Sequence, residues 1–200
     1  MTTPKRLLLA GLVASALSPL SATAFPIAIG GEGAAVMVVG SDPVIATYQG
    51  NSAAFSNDLY LERLADGTPG MDGLNANDLF LFNNHVSPVG STLNLGMFSI
   101  GIELVFRLHV NDTGNDFFSG LASRNPDGLP HARVQGNWMP NETLVSFEDL
   151  LNLPEYPGGF NDLSFSFTNT STPTPSPEPV TLALLGAGIA GVAFTRHRRT

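Results

Sequence analysis

The chain contains no cysteine. That absence excludes disulfides, zinc sites of the thiolate type and cysteine nucleophiles. Stability therefore rests on a core, with metal as the one available staple, and any metal chemistry falls to oxygen ligands and a few histidines. Basic residues are scarce as well. Between Phe25 and Pro177 only Arg63, Arg107, Arg124 and Arg133 stand against sixteen acids, a net charge of −12, compared with −8 for the whole chain. Nucleic acid is excluded as a partner because phosphate binding needs a basic face; cations are the expected partners instead. Several catalytic and metal signatures are also missing. There is no Gly-x-Ser-x-Gly, no His-Glu-x-x-His, no EF-hand spacing, no Gly-Gly-x-Gly-x-Asp repeat and no internal repeat.

What is present is concentrated first at the two ends. Lys5 and Arg6 precede the apolar run 7–17, and Ala22-Thr23-Ala24 forms a small-x-small site. Residues 1–24 thus read as a signal peptide, cut by signal peptidase between Ala24 and Phe25. At the other end Pro177-Glu178-Pro179 is followed by a charge-free apolar run, 180–195, and then by Arg196, Arg198 and Arg199. As a helix that run spans about 24 Å, short of a ~30 Å hydrocarbon core, with its basic end on the cytoplasmic side. On hydropathy alone it reads as a C-terminal transmembrane anchor.

The order Pro-Glu-Pro, apolar segment, arginine cluster resembles the PEP-CTERM sorting signal of exopolysaccharide-producing Gram-negative bacteria, also labelled the ice-binding protein C-terminal domain. The resemblance covers 177–200. It implies recognition by exosortase, a membrane protease that cuts near the Pro-Glu-Pro, so that the protein is held briefly at the inner membrane and then reaches the cell surface or medium without a membrane helix. Ice binding is suggested by the label alone; the chain has no regular Thr-x-Thr array.

Between the signals, 25–168 has the length of one domain. Its pattern is all-β. In Ile102–Val110 the residues Ile102, Leu104, Phe106, Leu108 and Val110 share one face and Glu103, Arg107 and His109 the other, which predicts a half-buried strand. Leu163–Phe167 and Thr143–Phe147 repeat the period of two. Shorter strands are predicted at 34–39, 44–49, 58–62, 78–82 and 131–135, with a short helix near 147–151. Gly, Pro and Asn/Asp clusters separate them at 40–43, 66–70, 111–116, 125–128 and 156–159. Many short strands with such turns predict a single β-sandwich or jelly-roll-like domain. From 169 to 179 the composition becomes Ser, Thr and Pro, an extended polyproline-like spacer.

Candidate chemistry lies late in the domain. Ser123–Arg133, Phe147-Glu148-Asp149-Leu150 and Phe160-Asn161-Asp162-Leu163 resemble the end of a group of secreted bacterial β-domains, many of which carry the same sorting tail. The loop 151–159 is poorer in aspartate than that group's pattern. Independently of the resemblance, Glu148, Asp149, Asn161 and Asp162 can supply several of the ~6–8 oxygens that Ca²⁺ requires, with Asp127 or Asn125 as an outer contributor. The bland reading of the same residues is loop-end solvation and turn capping. Glu148 with Asp162 is also the pair to nominate for glycoside hydrolysis, and Trp138 with Tyr156 for sugar stacking, although core packing or an exposed loop aromatic is the favoured reading of both. His131 beside Arg133 reads as a surface pair.

The sequence thus predicts a non-enzymatic exported surface or matrix protein, associated with extracellular polysaccharide or biofilm, with Ca²⁺ as its one candidate cofactor. The alternatives are a secreted carbohydrate-active enzyme and a permanently anchored membrane protein.

Overall fold

The computed structural model describes residues 24–152 and 159–173. Ala22, the Pro177-Glu178-Pro179 motif, the apolar run 180–195 and the terminal arginines lie outside these residues. No helix among the described residues is long and apolar enough to cross a membrane.

The described chain is all-β, with twelve strands in three antiparallel sheets. They are β1 (Val36–Val38), β2 (Val44–Asn51), β3 (Asn57–Leu61), β4 (Leu79–Asn83), β5 (Thr92–Gly96), β6 (Glu103–Leu104), β7 (Phe106–Val110), β8 (Asn115–Phe118), β9 (Ala132–Met139), β10 (Glu142–Phe147), β11 (Leu163–Thr168) and β12 (Thr170–Ser171). One sheet has the order β5-β2-β11-β10-β9, the second β4-β3-β7-β8, and the third β12-β1-β6. Two of the third sheet's strands continue the others: β6 runs through Val105 into β7, and β12 follows β11 after Asn169, which takes a left-handed φ of 55°.

Alternation explains which faces meet. Val44, Ala46 and Tyr48 of β2, Val145 and Phe147 of β10, and Leu163, Phe165 and Phe167 of β11 point into one core, as do Leu59 and Leu61 of β3 and Phe106, Leu108 and Val110 of β7. Aromatic rings cross between the five- and four-stranded sheets. Phe106 stacks on Phe167 with centroids 4.0 Å apart, and Phe82 on Phe165 at 5.9 Å. Such pairs add about 0.5–1.5 kcal/mol each beyond their buried area.

On the opposite face of the five-stranded sheet Ser146, Ser164 and Ser166 are polar but buried, beside the apolar Leu144. Ser146 and Ser164 hydrogen-bond at 2.7 Å, and Gln49 donates to Ser166 at 2.8 Å. The segment 25–33 crosses this face: Phe25 sits on Gly50, and the Ala28 amide donates to Ser146 Oγ at 2.8 Å. It ends by pairing with the rim of β9, where Val134 N donates to Gly31 O and Gly33 N to Ala132 O.

Several expectations change. The run 102–110 is interrupted at Val105, so its two parts join different sheets, and Ile102 is exposed. Arg107, placed by alternation on a polar face, is only 3% exposed. No helix forms near 147–151; β10 ends at Phe147, and Glu148 and Asp149 continue as extended chain into a turn. β12 falls inside the stretch whose composition reads as spacer, because Thr170 and Ser171 pair with Val38 and Met37.

Candidate metal centre

The site forms where β10 leaves the five-stranded sheet and β11 enters it. Register fixes the meeting: Phe147 pairs with Leu163, so the residues just beyond each strand end, Glu148 and Asp162, face one another. The Asp162 amide donates to Phe147 O at 3.1 Å, and the Asp149 amide donates to Asp162 Oδ2 at 2.8 Å. Glu148, Asp149 and Asp162 each bring a carboxylate oxygen within 4.8 Å of the others. All three are buried, at 0, 4 and 4% exposure.

Few positive groups offset this. Among the described residues no Lys or Arg forms an ion pair with Glu148 or Asp162. The offsetting groups are backbone amides. Leu150 N donates to Glu148 Oε1 at 3.3 Å and Phe160 N to Oε2 at 3.2 Å. Burial still dominates the electrostatics. It raises Glu148 above the usual carboxylate range despite those two amides, and it pushes Asp162 up to about 7, with the Glu148 charge adding to it. Burial therefore favours retention of a proton between the Glu148 and Asp162 carboxyls, which face one another across the strand ends. A divalent cation is the alternative to that proton, since either relieves the repulsion of carboxylates crowded in a dry site.

The backbone at the site is strained. Phe160 has φ of 62°, a left-handed conformation that costs a bulky residue roughly 1–2 kcal/mol. Two contacts hold it there: its amide on Glu148, and the Arg133 guanidinium 4.5 Å over its ring. Arg133 is itself paired with Glu32 of the N-terminal segment at 2.8 Å.

The other predicted site residues occupy distinct places. Asn161 donates from Nδ2 to Ser52 Oγ at 2.9 Å, and its Oδ1 is buried without a hydrogen-bond partner among the described residues. Asp127 anchors the neighbouring loop, accepting from Asn152 N at 2.8 Å and from His131 Nε2 at 3.0 Å. Burial acts to raise Asp127, but the hydrogen bonds from His131, Leu129 N and Asn152 N outweigh it and leave its carboxyl below the ordinary value. Asn125 accepts from Phe118 N at 2.7 Å and donates to Leu129 O at 2.7 Å, so it organises the same loop. His131 is not a surface residue. It is fully buried, stacked 3.8 Å from Phe117, with Nδ1 3.1 Å from the Glu148 carbonyl. Tyr156 lies outside the described residues, and Trp138 is half-buried near the end of β9.

Sequence reading did not point to Asn57 of β3, in the four-stranded sheet. Its Nδ2 donates to Asp149 Oδ2 at 2.8 Å. No local pattern marks a lone asparagine at the head of a strand; only its full burial, at 0% exposure, sets it apart.

A second polar cluster lies on the four-stranded sheet. Arg107 reaches Glu62 at 2.7 Å, Asp78 at 2.7 Å and Asp116 at 3.0 Å, with its guanidinium 4.4 Å over the Tyr60 ring. The segment 63–78 brings Asp78 to this residue, which is why an outward-facing arginine is buried. Here the acids surround a cation, unlike the first cluster.

Comparison with protein-family models, with characterised proteins and with solved structures returns no match for this chain.

Proposed function

We propose that the chain is an exported, non-enzymatic surface or matrix protein: an acidic β-sandwich delivered by a signal peptide, sorted through a PEP-CTERM tail by an exosortase-type protease, and stabilised outside the cell by Ca²⁺. The observation that carries the calcium reading is the Glu148–Asp149–Asp162 cluster, three carboxylates within 4.8 Å at 4% exposure or less. Hard oxygen donors of this kind suit calcium. The sandwich reading draws support from the ring contacts between the five- and four-stranded sheets. Export draws support from the ends of the sequence, and from Phe25, the first residue after the expected cut, being packed on β2. Extracellular polysaccharide is the expected associate.

The carbohydrate-active alternative uses Glu148 with Asp162. A fully buried Glu148 offers no face to a glycosidic oxygen, and neither carboxylate lines a 340 Å³ cavity formed by Phe25, Gln49, Gly50 and Asn51 among the described residues.

The test is thermal unfolding of the full-length protein in detergent, with calcium and with EGTA. Calcium at a hundredfold excess over its Kd adds about 2.7 kcal/mol of stability, and Asp162→Asn abolishes the gain. Equal melting in calcium and EGTA overturns the calcium reading. Intact-mass analysis from envelope and medium tests sorting: a chain beginning at Phe25 and ending near Glu178 is expected, and a retained 180–200 segment makes the protein a permanent anchor.

A further inference from the structure

We infer that Asn57 is a fourth protein ligand of the cation, through Oδ1, and that the bound ion is thereby a clasp between the four-stranded and five-stranded sheets. This rests on the calcium reading of the carboxylate cluster and adds to it a residue from the opposite sheet.

The argument begins with an accounting of the Asn57 amide. Its two N–H donors are spent, one on Asp149 Oδ2 at 2.8 Å and one on Phe55 O at 3.2 Å. Its Oδ1 is buried and has no hydrogen-bond partner among the described residues. A buried carbonyl oxygen without a partner is rare in a native interior. The two Nδ2 bonds set the orientation of the amide, and the backbone beneath it is held from both directions: Asn57 N donates to Asn84 Oδ1 at 2.8 Å, and Asn84 N donates to Asn57 O at 3.1 Å. Asn84 is fixed in turn by Tyr48 Oη, which donates to its carbonyl at 3.2 Å.

The second part is position. Oδ1 shares a carbon with the Nδ2 that touches Asp149, so it lies within about 5 Å of Asp149 Oδ2 by covalent geometry. The carboxylate oxygens themselves lie within 4.8 Å of one another. Amide carbonyls beside carboxylates are ordinary calcium ligands, and they add a donor without adding charge to an already crowded anionic site. An ion held by Asn57 on β3 and by Glu148, Asp149 and Asp162 at the ends of β10 and β11 joins two sheets whose other contacts are the apolar core and a few hydrogen bonds such as Tyr48 Oη to Asn84 O.

The experiment is calorimetric titration of the EGTA-stripped, full-length protein in detergent with CaCl₂, for the wild type, Asn57→Leu and Asn57→Asp. The wild type binds one ion. Asn57→Leu weakens it by about tenfold or more, and Asn57→Asp, which restores an oxygen but not the N–H donor, recovers wild-type affinity or better. If Asn57 serves only as the donor to Asp149, Asn57→Asp binds as weakly as Asn57→Leu or worse, and the inference is overturned. Unchanged affinity in Asn57→Leu overturns it too. Absence of binding in the wild type instead overturns the calcium reading, and this inference with it. Should the variants not fold, the carbonyl-carbon NMR signal of Asn57 in the wild type decides: a shift at saturating calcium is expected, and an unmoved signal refutes the ligand role.

Discussion

Phe25 lies directly on Gly50. A Cβ built at Gly50 would stand 2.6 Å from Phe25 Cβ and 2.8 Å from the first ring carbon, and Gly50 has φ of 136°. Only glycine permits both the backbone conformation and the approach. Gly50→Ala is expected to destabilise the protein by about 1–3 kcal/mol and to lift the N-terminal segment from β2. Urea unfolding checks the first effect; earlier proteolysis within residues 25–33 checks the second.

Arg107 is the only cation touching Glu62 and Asp78 among the described residues. Burial alone weakens the guanidinium's hold on its proton, but hydrogen bonds to Asp78, Glu62 and Asp116 reverse this. Arg107→Met leaves two buried acids without compensation and should cost about 3–5 kcal/mol. His109 shares Asp116 at 2.8 Å but is about one-third exposed, so His109→Gln should cost at most about 1 kcal/mol. Chemical denaturation of the two variants tests the contrast.

Glu62 is pushed from near 4.5 up to about 7, first by burial and then by the carboxyl contact with Asp78, and Arg107 only partly offsets this. Between those values the folded chain binds more protons at Glu62 than the unfolded chain does. Stability from this group is therefore complete below pH 4.5 and is lost as pH rises through 7. The loss is roughly 3 kcal/mol at full shift. Asp162 titrates in the same sense when calcium is absent. Comparing wild type with Glu62→Gln in EGTA isolates Glu62: the variant's stability should fall less between pH 5 and 8, about 3 kcal/mol less at most.

His131 ties the loop at Asp127 to the Glu148 backbone while stacking on Phe117. His131→Phe keeps the flat ring but removes both polar contacts. It should lower stability by about 2 kcal/mol and weaken calcium binding, because the Glu148 main chain loses its support. Paired unfolding and calcium titration measure both effects.

Leu163–Thr168 was legible because large apolar residues, Leu163, Phe165 and Phe167, alternate with small hydroxyl ones, Ser164 and Ser166, even though both faces are buried. β5 and β8 were not. Thr92–Gly96 carries only two apolar residues, Leu93 and Leu95, and Asn115–Phe118 begins inside the Asn/Asp/Gly-rich stretch 111–116, so neither stood out as a strand. The break at Val105 was invisible because alternation continues through it; only pairing with β1 on one side and β3 on the other separates the two parts. At the site, Glu148, Asp149 and Asp162 could be nominated because they flank predicted strands. Asn57 could not, since its role depends on the packing of one sheet against another.

The pairing of Gly31 and Gly33 with β9 has a consequence for self-association. β9 is the rim of the five-stranded sheet, and rims of that kind invite a strand from a second molecule. Val134 N and Ala132 O are already taken by Gly31 O and Gly33 N, so the start of this rim is closed from within. The guard is supplied by a segment only a few residues beyond the expected signal-peptide cut. Protection of this part of the edge against a strand from a second molecule therefore begins only once that short segment has settled into place.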